Sequence, residues 1–183
     1  MSKILVLSGS PRINGNTDML VSSFVKGAEK NHDVEVVSVH DFTINPCIGC
    51  NTCFDRENND CFQDDDMVSI YNKLREADIL VVASPVYFYG ISSQLKGVID
   101  RLHTPKRNQF HVKGLALILV GAAQIPDLFD AIITQYRLIL SFFHLDDLGM
   151  VLVRGAKNKG DVTDEDIEKA YRLGMSINIE RCI

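Results

Sequence analysis

Three stretches of this chain carry side chains that could do chemistry. The first runs Ser8-Gly9-Ser10-Pro11-Arg12-Ile13-Asn14-Gly15-Asn16-Thr17. Ser10, Asn14, Asn16 and Thr17 supply hydroxyl and amide donors, and Arg12 supplies a permanent positive charge. Gly9 and Gly15 let the backbone come close to a ligand or take a positive φ. The loop follows an apolar run and precedes a segment of helical periodicity. Such a loop turns unpaired N–H groups and the positive end of a helix dipole toward an anion.

The second stretch, Cys47-x2-Cys50-x2-Cys53-x7-Cys61, gathers four thiols in one short loop. Four soft donors suit a [4Fe–4S] cluster, although the last gap is longer than in the bacterial ferredoxin run. They also meet the tetrahedral preference of zinc. Free or buried thiols are the third alternative. The third stretch is Ser84-Pro85-Val86-Tyr87-Phe88-Tyr89-Gly90, whose three successive aromatics cannot all face a core. A flat heteroaromatic ring could lie over it; hydrophobic packing or an oligomer interface is the other use.

The first stretch fits neither triphosphate nor dinucleotide chemistry. The G-x-x-x-x-G-K-[ST] pattern and the G-x-G-x-x-G fingerprint are both absent. Its hydroxyls and amides match a terminal monophosphate better than a buried pyrophosphate. The bland alternative is a turn and helix cap, which Ser, Asn and Gly build anywhere.

Length and composition narrow the class. The 183 residues suit one domain, residues 1–183, with one substantial core. Hydrophobic residues make up 46% and charged residues 23%, as in an ordinary globule. A net charge of −5 argues against a nucleic-acid surface. No apolar run reaches the roughly 18 residues of a membrane span, and no signal peptide is evident, so the cytoplasm is the expected location. Five cysteines, an odd number, disfavour a disulfide framework, and Cys182 is read as incidental. His32, His40, His103, His111 and His144 are scattered without ligand spacing.

The elements that must position these stretches are legible as periodicities. Ile4-Leu5-Val6-Leu7, residues 34–39, 79–83, 115–120 and 148–153 read as strands buried on both faces or rich in valine. Helical spacing follows each: Leu20, Val21, Phe24 and Ala28; Met67, Ile70, Tyr71 and Leu74; Leu95, Val98, Ile99 and Leu102. Phe129, Ile132, Ile133, Tyr136, Ile139 and Phe143 form the next apolar face. The last helix opens on a capping box from Thr163 to Asp166 and carries Ile167, Ala170 and Tyr171. Asp64-Asp65-Asp66 reads as a helix N-terminus, and Asp100-Arg101 as a structural or interface ion pair. Residues 41–63 show little regular period.

Five strands alternating with five helices predict right-handed βαβ units and an α/β, doubly wound parallel sheet with helices on both faces. The favoured strand order is 2-1-3-4-5, and ligands bind where that order reverses. The reversal lies at the carboxyl ends of strands 1 and 3, which carry the first and third stretches. A phosphate pocket and an aromatic platform at one switch point describe a mononucleotide with a large ring, and suggest FMN.

On these residues the chain resembles the NADPH-dependent FMN reductase family, with its flavodoxin-like fold. The matching motifs are the 8–17 loop, Ser84-Pro85-Val86-Tyr87-Phe88 and Leu95-Lys96-Gly97-Val98-Ile99-Asp100-Arg101. Pro46-Cys47-Ile48-Gly49-Cys50, Cys53, Cys61 and Asp65-Asp66-Met67 are similar to the iron–sulfur flavoprotein branch and its cluster-free relatives. The resemblance covers roughly the first 100 residues and rests on strand–helix order beyond Arg101. It implies phosphate contacts at Ser10, Arg12, Asn14, Asn16 and Thr17, and isoalloxazine contacts at Pro85, Val86, Tyr87 and Phe88. After strand 4, where many members carry Gly-Gly, this chain has Gly121-Ala122-Ala123-Gln124.

The implied activity is electron transfer from NAD(P)H through bound FMN to a flavin, a quinone or another small acceptor, in a homodimer or homotetramer. In such a reaction the cofactor supplies the chemistry, so no acid–base side-chain constellation is expected. The alternative is an iron–sulfur flavoprotein-type carrier, with a cluster on Cys47, Cys50, Cys53 and Cys61 and a protein redox partner. A flavin-free binding module that keeps only the phosphate loop is the third, weaker option.

Overall fold

In the computed structural model, which describes residues 1–178, each apolar run becomes a strand: β1 (Lys3–Ser8), β2 (Asp33–Ser38), β3 (Ile79–Pro85), β4 (Gly114–Val120) and β5 (Asp146–Val153). Their backbones pair in parallel in the order β2-β1-β3-β4-β5, as the alternation predicts. Between and after them run α1 (Asn16–Ala28), the one-turn α2 (Thr52–Asp55), α3 (Met67–Glu76), α4 (Ser93–Asp100), α5 (Asp130–Phe143) and α6 (Asp164–Ser176). No helix among the described residues is long and apolar enough to cross a membrane. Cys182 lies outside the described residues.

Alternate strand residues face opposite sides. Ile4, Val6, Val81 and Ile118 pack with Leu20, Phe24 and Ala170 of α1 and α6. Leu5, Leu7, Leu80 and Leu117 pack with Ile70, Leu95 and Ile132 of α3, α4 and α5. Both faces of the central strands are thereby covered, which is why these strands read as unbroken apolar runs.

The seam between α1 and α6 is set by two glycines. A Cβ on Gly174 would stand 2.1 Å from the Phe24 carbonyl oxygen, and one on Gly27 would stand 2.3 Å from that of Tyr171. Both obstacles are backbone, so only helix separation makes room. Gly174→Ala is expected to cost about 2 kcal/mol and lower the melting temperature by about 4–8 °C, as scanning calorimetry would show. The capping box is present in full: Thr163 Oγ1 accepts from the Asp166 N–H, and Asp166 accepts from the Thr163 N–H.

Two expectations need correction. Residue Val39 leaves the second strand for a 3-10 turn, Val39–Asp41. On α5 only Ile132 and Tyr136 are fully buried, and Ile133, Ile139 and Phe143 are half-buried. Ile139 and Phe143 line an apolar space left between that helix and the sheet.

Candidate functional site

From β1 the chain crosses to β2 on one side and returns to β3 on the other, so the loops leaving β1 and β3 diverge and open a crevice. The base of the first loop is pinned to β3 by the Gly9 N–H, which donates to the Ala83 carbonyl at 2.8 Å. A Cβ on Gly9 would meet Ser92 Oγ at 2.6 Å, so only glycine lets the β1 exit pass α4 this closely. The cleft beyond measures about 360 Å³. Ser10, Arg12, Asn16 and Thr17 line it from the first loop, and Pro85, Val86 and Tyr87 from the third-strand loop.

The groups able to bind an anion cluster at the first turn of α1. Its cap residue, Gly15, offers no side-chain bond to the helix start. The N–H groups of Asn16, Thr17 and Asp18 therefore take no partner among the described residues. Ser10 and Thr17, both buried, bring hydroxyls to the same wall. Arg12, Lys157 and Lys159 add three positive charges around the cleft. Together these groups match a phosphate monoester in charge and in donor number.

Asn16 plays a different part from the one expected. Its Nδ2 donates to the carbonyls of Ala156 (3.3 Å) and Asn158 (2.8 Å), and its Oδ1 accepts from the Gly160 N–H at 2.8 Å. The side chain thus clamps the loop that follows β5, and the Asn16 N–H at the cleft takes no partner among the described residues. Asn14, held at φ 55°, is not among the cleft-lining residues.

Across the cleft the β3 loop is braced at its root. The Val86 N–H donates to the Val120 carbonyl at 2.7 Å, and Ser84 Oγ accepts from the Ser92 N–H at 3.0 Å. Tyr87 and Gly90 then exchange N–H···O bonds of 2.9 and 3.1 Å around Phe88 and Tyr89. Phe88, at φ 47°, and Tyr89, at φ 64°, occupy the left-handed region that such a turn reserves for an Asn-Gly pair. Phe88 is 97% exposed and is not among the cleft-lining residues, whereas Pro85, Val86 and Tyr87 are. The double change Phe88→Asn with Tyr89→Gly, which installs the residue types this turn favours, is expected to stabilise the fold by about 1–2 kcal/mol. A thermal melt should rise by about 2–8 °C.

The cysteine loop is organised from below by a buried ion pair. Arg101, at the end of α4, meets Asp65 at 2.5 Å, with side chains 3% and 1% exposed. The same guanidinium donates to the Asn45 carbonyl at 3.1 Å, and Asp65 accepts from the Asn45 N–H at 2.9 Å. The pair thereby ties together the two ends of residues 45–65. The Tyr71 hydroxyl adds a bond to the Arg101 carbonyl at 2.8 Å, and burial pushes its pKa up to about 12. The aspartates at 64–66 therefore do more than start a helix. Asp65 anchors the loop, and Asp66 accepts from the Thr43 N–H at 2.7 Å.

Cys47, Cys50, Cys53 and Cys61 line one cavity of about 120 Å³ beside Arg101. All four are free thiols. Among the described residues, however, no three Cys, His, Asp or Glu side chains form a group that could hold a metal ion. The expected ligand set is thus not assembled. The sulfurs are instead engaged singly: Cys47 with the Gly49 N–H at 3.5 Å, Cys50 with the Thr52 hydroxyl at 3.2 Å, and Cys61 with the Gln63 amide at 3.9 Å. The Thr52 bonds lower the Cys50 pKa, whereas burial raises that of Cys53. As arranged here the loop does not fit a cluster or zinc.

Comparison with known proteins decides the family. Residues 2–158 match the model of the NADPH-dependent FMN reductases. The chain belongs to that family. An iron-sulfur flavoprotein of Methanocaldococcus jannaschii is 36% identical to it over 96% of this chain and 95% of that protein. An iron-sulfur flavoprotein of Archaeoglobus fulgidus is 30% identical over 96% of this chain and 78% of that protein. Among solved structures, an NAD(P)H:quinone oxidoreductase from Methanothermobacter marburgensis shares the fold at a TM-score of 0.75 and 15% identity, over 95% and 96% of the two chains.

The NADPH-dependent FMN reductases are FMN-dependent NAD(P)H oxidoreductases, and the cleft fits their cofactor. Its unpaired first-turn N–H groups, buried hydroxyls and cations suit the phosphate end. Sequence reasoning missed Ala156, Lys157 and Lys159, which line the cleft from beyond β5. Their signal was Gly155-Ala156-Lys157-Asn158-Lys159-Gly160, a basic loop between glycines at φ 77° and 89°. Ala122, in the loop where this member lacks the usual Gly-Gly, also lines the cleft.

Proposed function

We propose that this chain, as one flavin-binding unit, holds FMN in the cleft and passes electrons from NAD(P)H to free flavin, a quinone or another small acceptor. The observation that carries this reading is the unpaired start of α1 facing Pro85, Val86 and Tyr87 across the switch point. The α1 N–H groups, the hydroxyls of Ser10 and Thr17, and Arg12 with Lys157 and Lys159 bind the phosphate. The braced segment 85–87 supports the isoalloxazine through its backbone and the Tyr87 ring. Bound FMN supplies the hydride-accepting ring; the protein supplies binding and orientation. A homodimer or homotetramer is the expected assembly, with the exposed Phe88 and Tyr89 rings as contact surface.

The test is spectroscopic. Purified protein mixed with FMN should show flavin absorbance that gel filtration does not remove and that NADPH bleaches without oxygen. Failure to bind FMN at micromolar concentration would sink the reading. Steady-state assays with riboflavin, FMN and a benzoquinone then identify the acceptor class.

A second reading is an iron–sulfur flavoprotein-type electron carrier, favoured by the four thiols around one cavity and by the relatives of that name. It requires the 47–61 loop to rearrange. Iron and acid-labile sulfide assays on anaerobically purified protein separate the two: about four irons per chain with negligible NAD(P)H turnover favours the carrier, and absence of iron excludes it.

A further inference from the structure

A separate cavity of about 110 Å³ lies under α5, against the lower halves of β3 and β4. Leu80, Leu117, Ile132 and Ile139 are typical of its walls, which are apolar apart from Arg107, Gln135 and the Tyr136 hydroxyl. Its strand residues precede Pro85 and Val120 by three to five positions, so about 10–17 Å of strand separates it from the flavin cleft.

The fold itself keeps this space open. The Tyr136 hydroxyl donates to the Leu115 carbonyl and meets Asp147, both at 2.7 Å, which sets the height of α5 over the sheet. The opposite wall continues from α4 into the 3-10 turn Pro105–Gln109, capped by Thr104 and followed by Phe110, which stacks on Tyr71 at 6.0 Å. Each wall is held by its own polar bonds or stacked rings, so neither collapses onto the other. Water gains little there, because it needs two to four polar partners and the walls offer almost none. An apolar cavity of about 150 Å³ in another protein stays dry and takes up benzene.

Charge completes the description. Arg107 donates to the Thr104 carbonyl at 2.9 Å and lies 5.5 Å from the Phe142 ring centre. These contacts fix the guanidinium at the cavity wall, and its other N–H groups take no partner among the described residues. We propose that this cavity binds a small amphipathic acid, with a single ring or a chain of about six carbons inside and the carboxylate on Arg107. The site stands apart from the flavin cleft and does not depend on the function proposed above.

The test uses the full-length protein, saturated with FMN, and two probes: n-hexanoate and its uncharged counterpart n-hexanol. Calorimetry should show saturable one-to-one binding of hexanoate, with methyl NMR shifts confined to wall residues such as Ile132, Ile139 and Leu117. Arg107→Gln should weaken hexanoate at least tenfold and leave hexanol within twofold. Ile139→Phe, which fills the space from a half-buried position, should abolish both while flavin absorbance is unchanged. Should that variant fail to fold, the wild-type methyl shifts and the Arg107→Gln comparison decide the matter. No saturable binding, binding indifferent to Arg107→Gln, or methyl shifts that follow protein concentration instead of probe would overturn the proposal, the last by giving the cavity to a second copy of the chain.

Discussion

Arg101→Ala is expected to lower the stability of this protein by about 3–5 kcal/mol, because it leaves the Asp65 carboxylate buried without its counter-charge. At about 2–4 °C per kcal/mol for a chain of this size, the melting temperature should fall by about 6–20 °C. The effect is large because one guanidinium closes two contacts at once, to the buried Asp65 carboxylate and to the Asn45 carbonyl. The double change Arg101→Met with Asp65→Leu removes both charges together and should recover most of the loss, since an apolar pair of similar volume is often neutral or stabilising. If the double variant is as unstable as the single one, the ion pair is not the cause.

The pH dependence follows from the same pair. Burial alone would raise the Asp65 pKa, but the Arg101 guanidinium and the N–H groups of Asn45 and Met67 outweigh it and hold the carboxyl below its ordinary value. A carboxyl with a depressed folded pKa stabilises the fold fully above its unfolded value of about 3.9, and that contribution is lost as pH falls through the folded value. In Arg101→Ala burial prevails and the sign reverses: Asp65 prefers its proton, so acid relieves the variant. Urea unfolding at pH 7 and pH 4 should therefore show a gap between wild type and Arg101→Ala that narrows at the lower pH. A gap independent of pH would contradict the mechanism.

Asn16→Ala is the second large effect, and it falls on the cofactor. The side chain makes three hydrogen bonds to the loop after β5, together about 2–3 kcal/mol. Without them Ala156, Lys157 and Lys159 are no longer held at the cleft, and flavin binding has to order them. On the function proposed above, FMN affinity should fall by about tenfold to a hundredfold, while riboflavin, which lacks the phosphate, should lose less. The FMN affinity of the variant should also depend less on salt, as fewer fixed cations remain. Fluorescence titration at two ionic strengths reads all three. Asn16→Ser separates the roles: serine keeps a donor for a direct phosphate contact, whereas as a clamp it is one bond too short and has a single polar atom for three bonds.

Much of the fold was legible because buried parallel strands must be apolar on both sides. Runs such as Ile4-Leu5-Val6-Leu7 and residues 115–120 have no other comfortable place, and helical faces such as Met67, Ile70, Tyr71 and Leu74 name their own buried side. The capping box at Thr163 is local chemistry and was readable for that reason. The exposure of Phe88 was not legible, because side-chain type says nothing of direction. A tight turn with two residues at positive φ turns that ring into solvent. Arg101 was readable only as an ion pair of unknown partner, since Asp65 lies 36 positions away in the chain.

What the sequence determined by itself is the set of elements, their parallel order and the polar loop at the start of α1, because hydrophobic period, strand–helix alternation and helix-start chemistry are local properties. Only the tertiary structure decided that the Asn16 side chain clamps the loop after β5, and that Lys157 and Lys159 line the cleft. It alone shows that four neighbouring cysteines share a cavity without forming a ligand set. Each of these depends on which distant backbone comes within about 3 Å of a side chain, and that distance is set by how the layers pack.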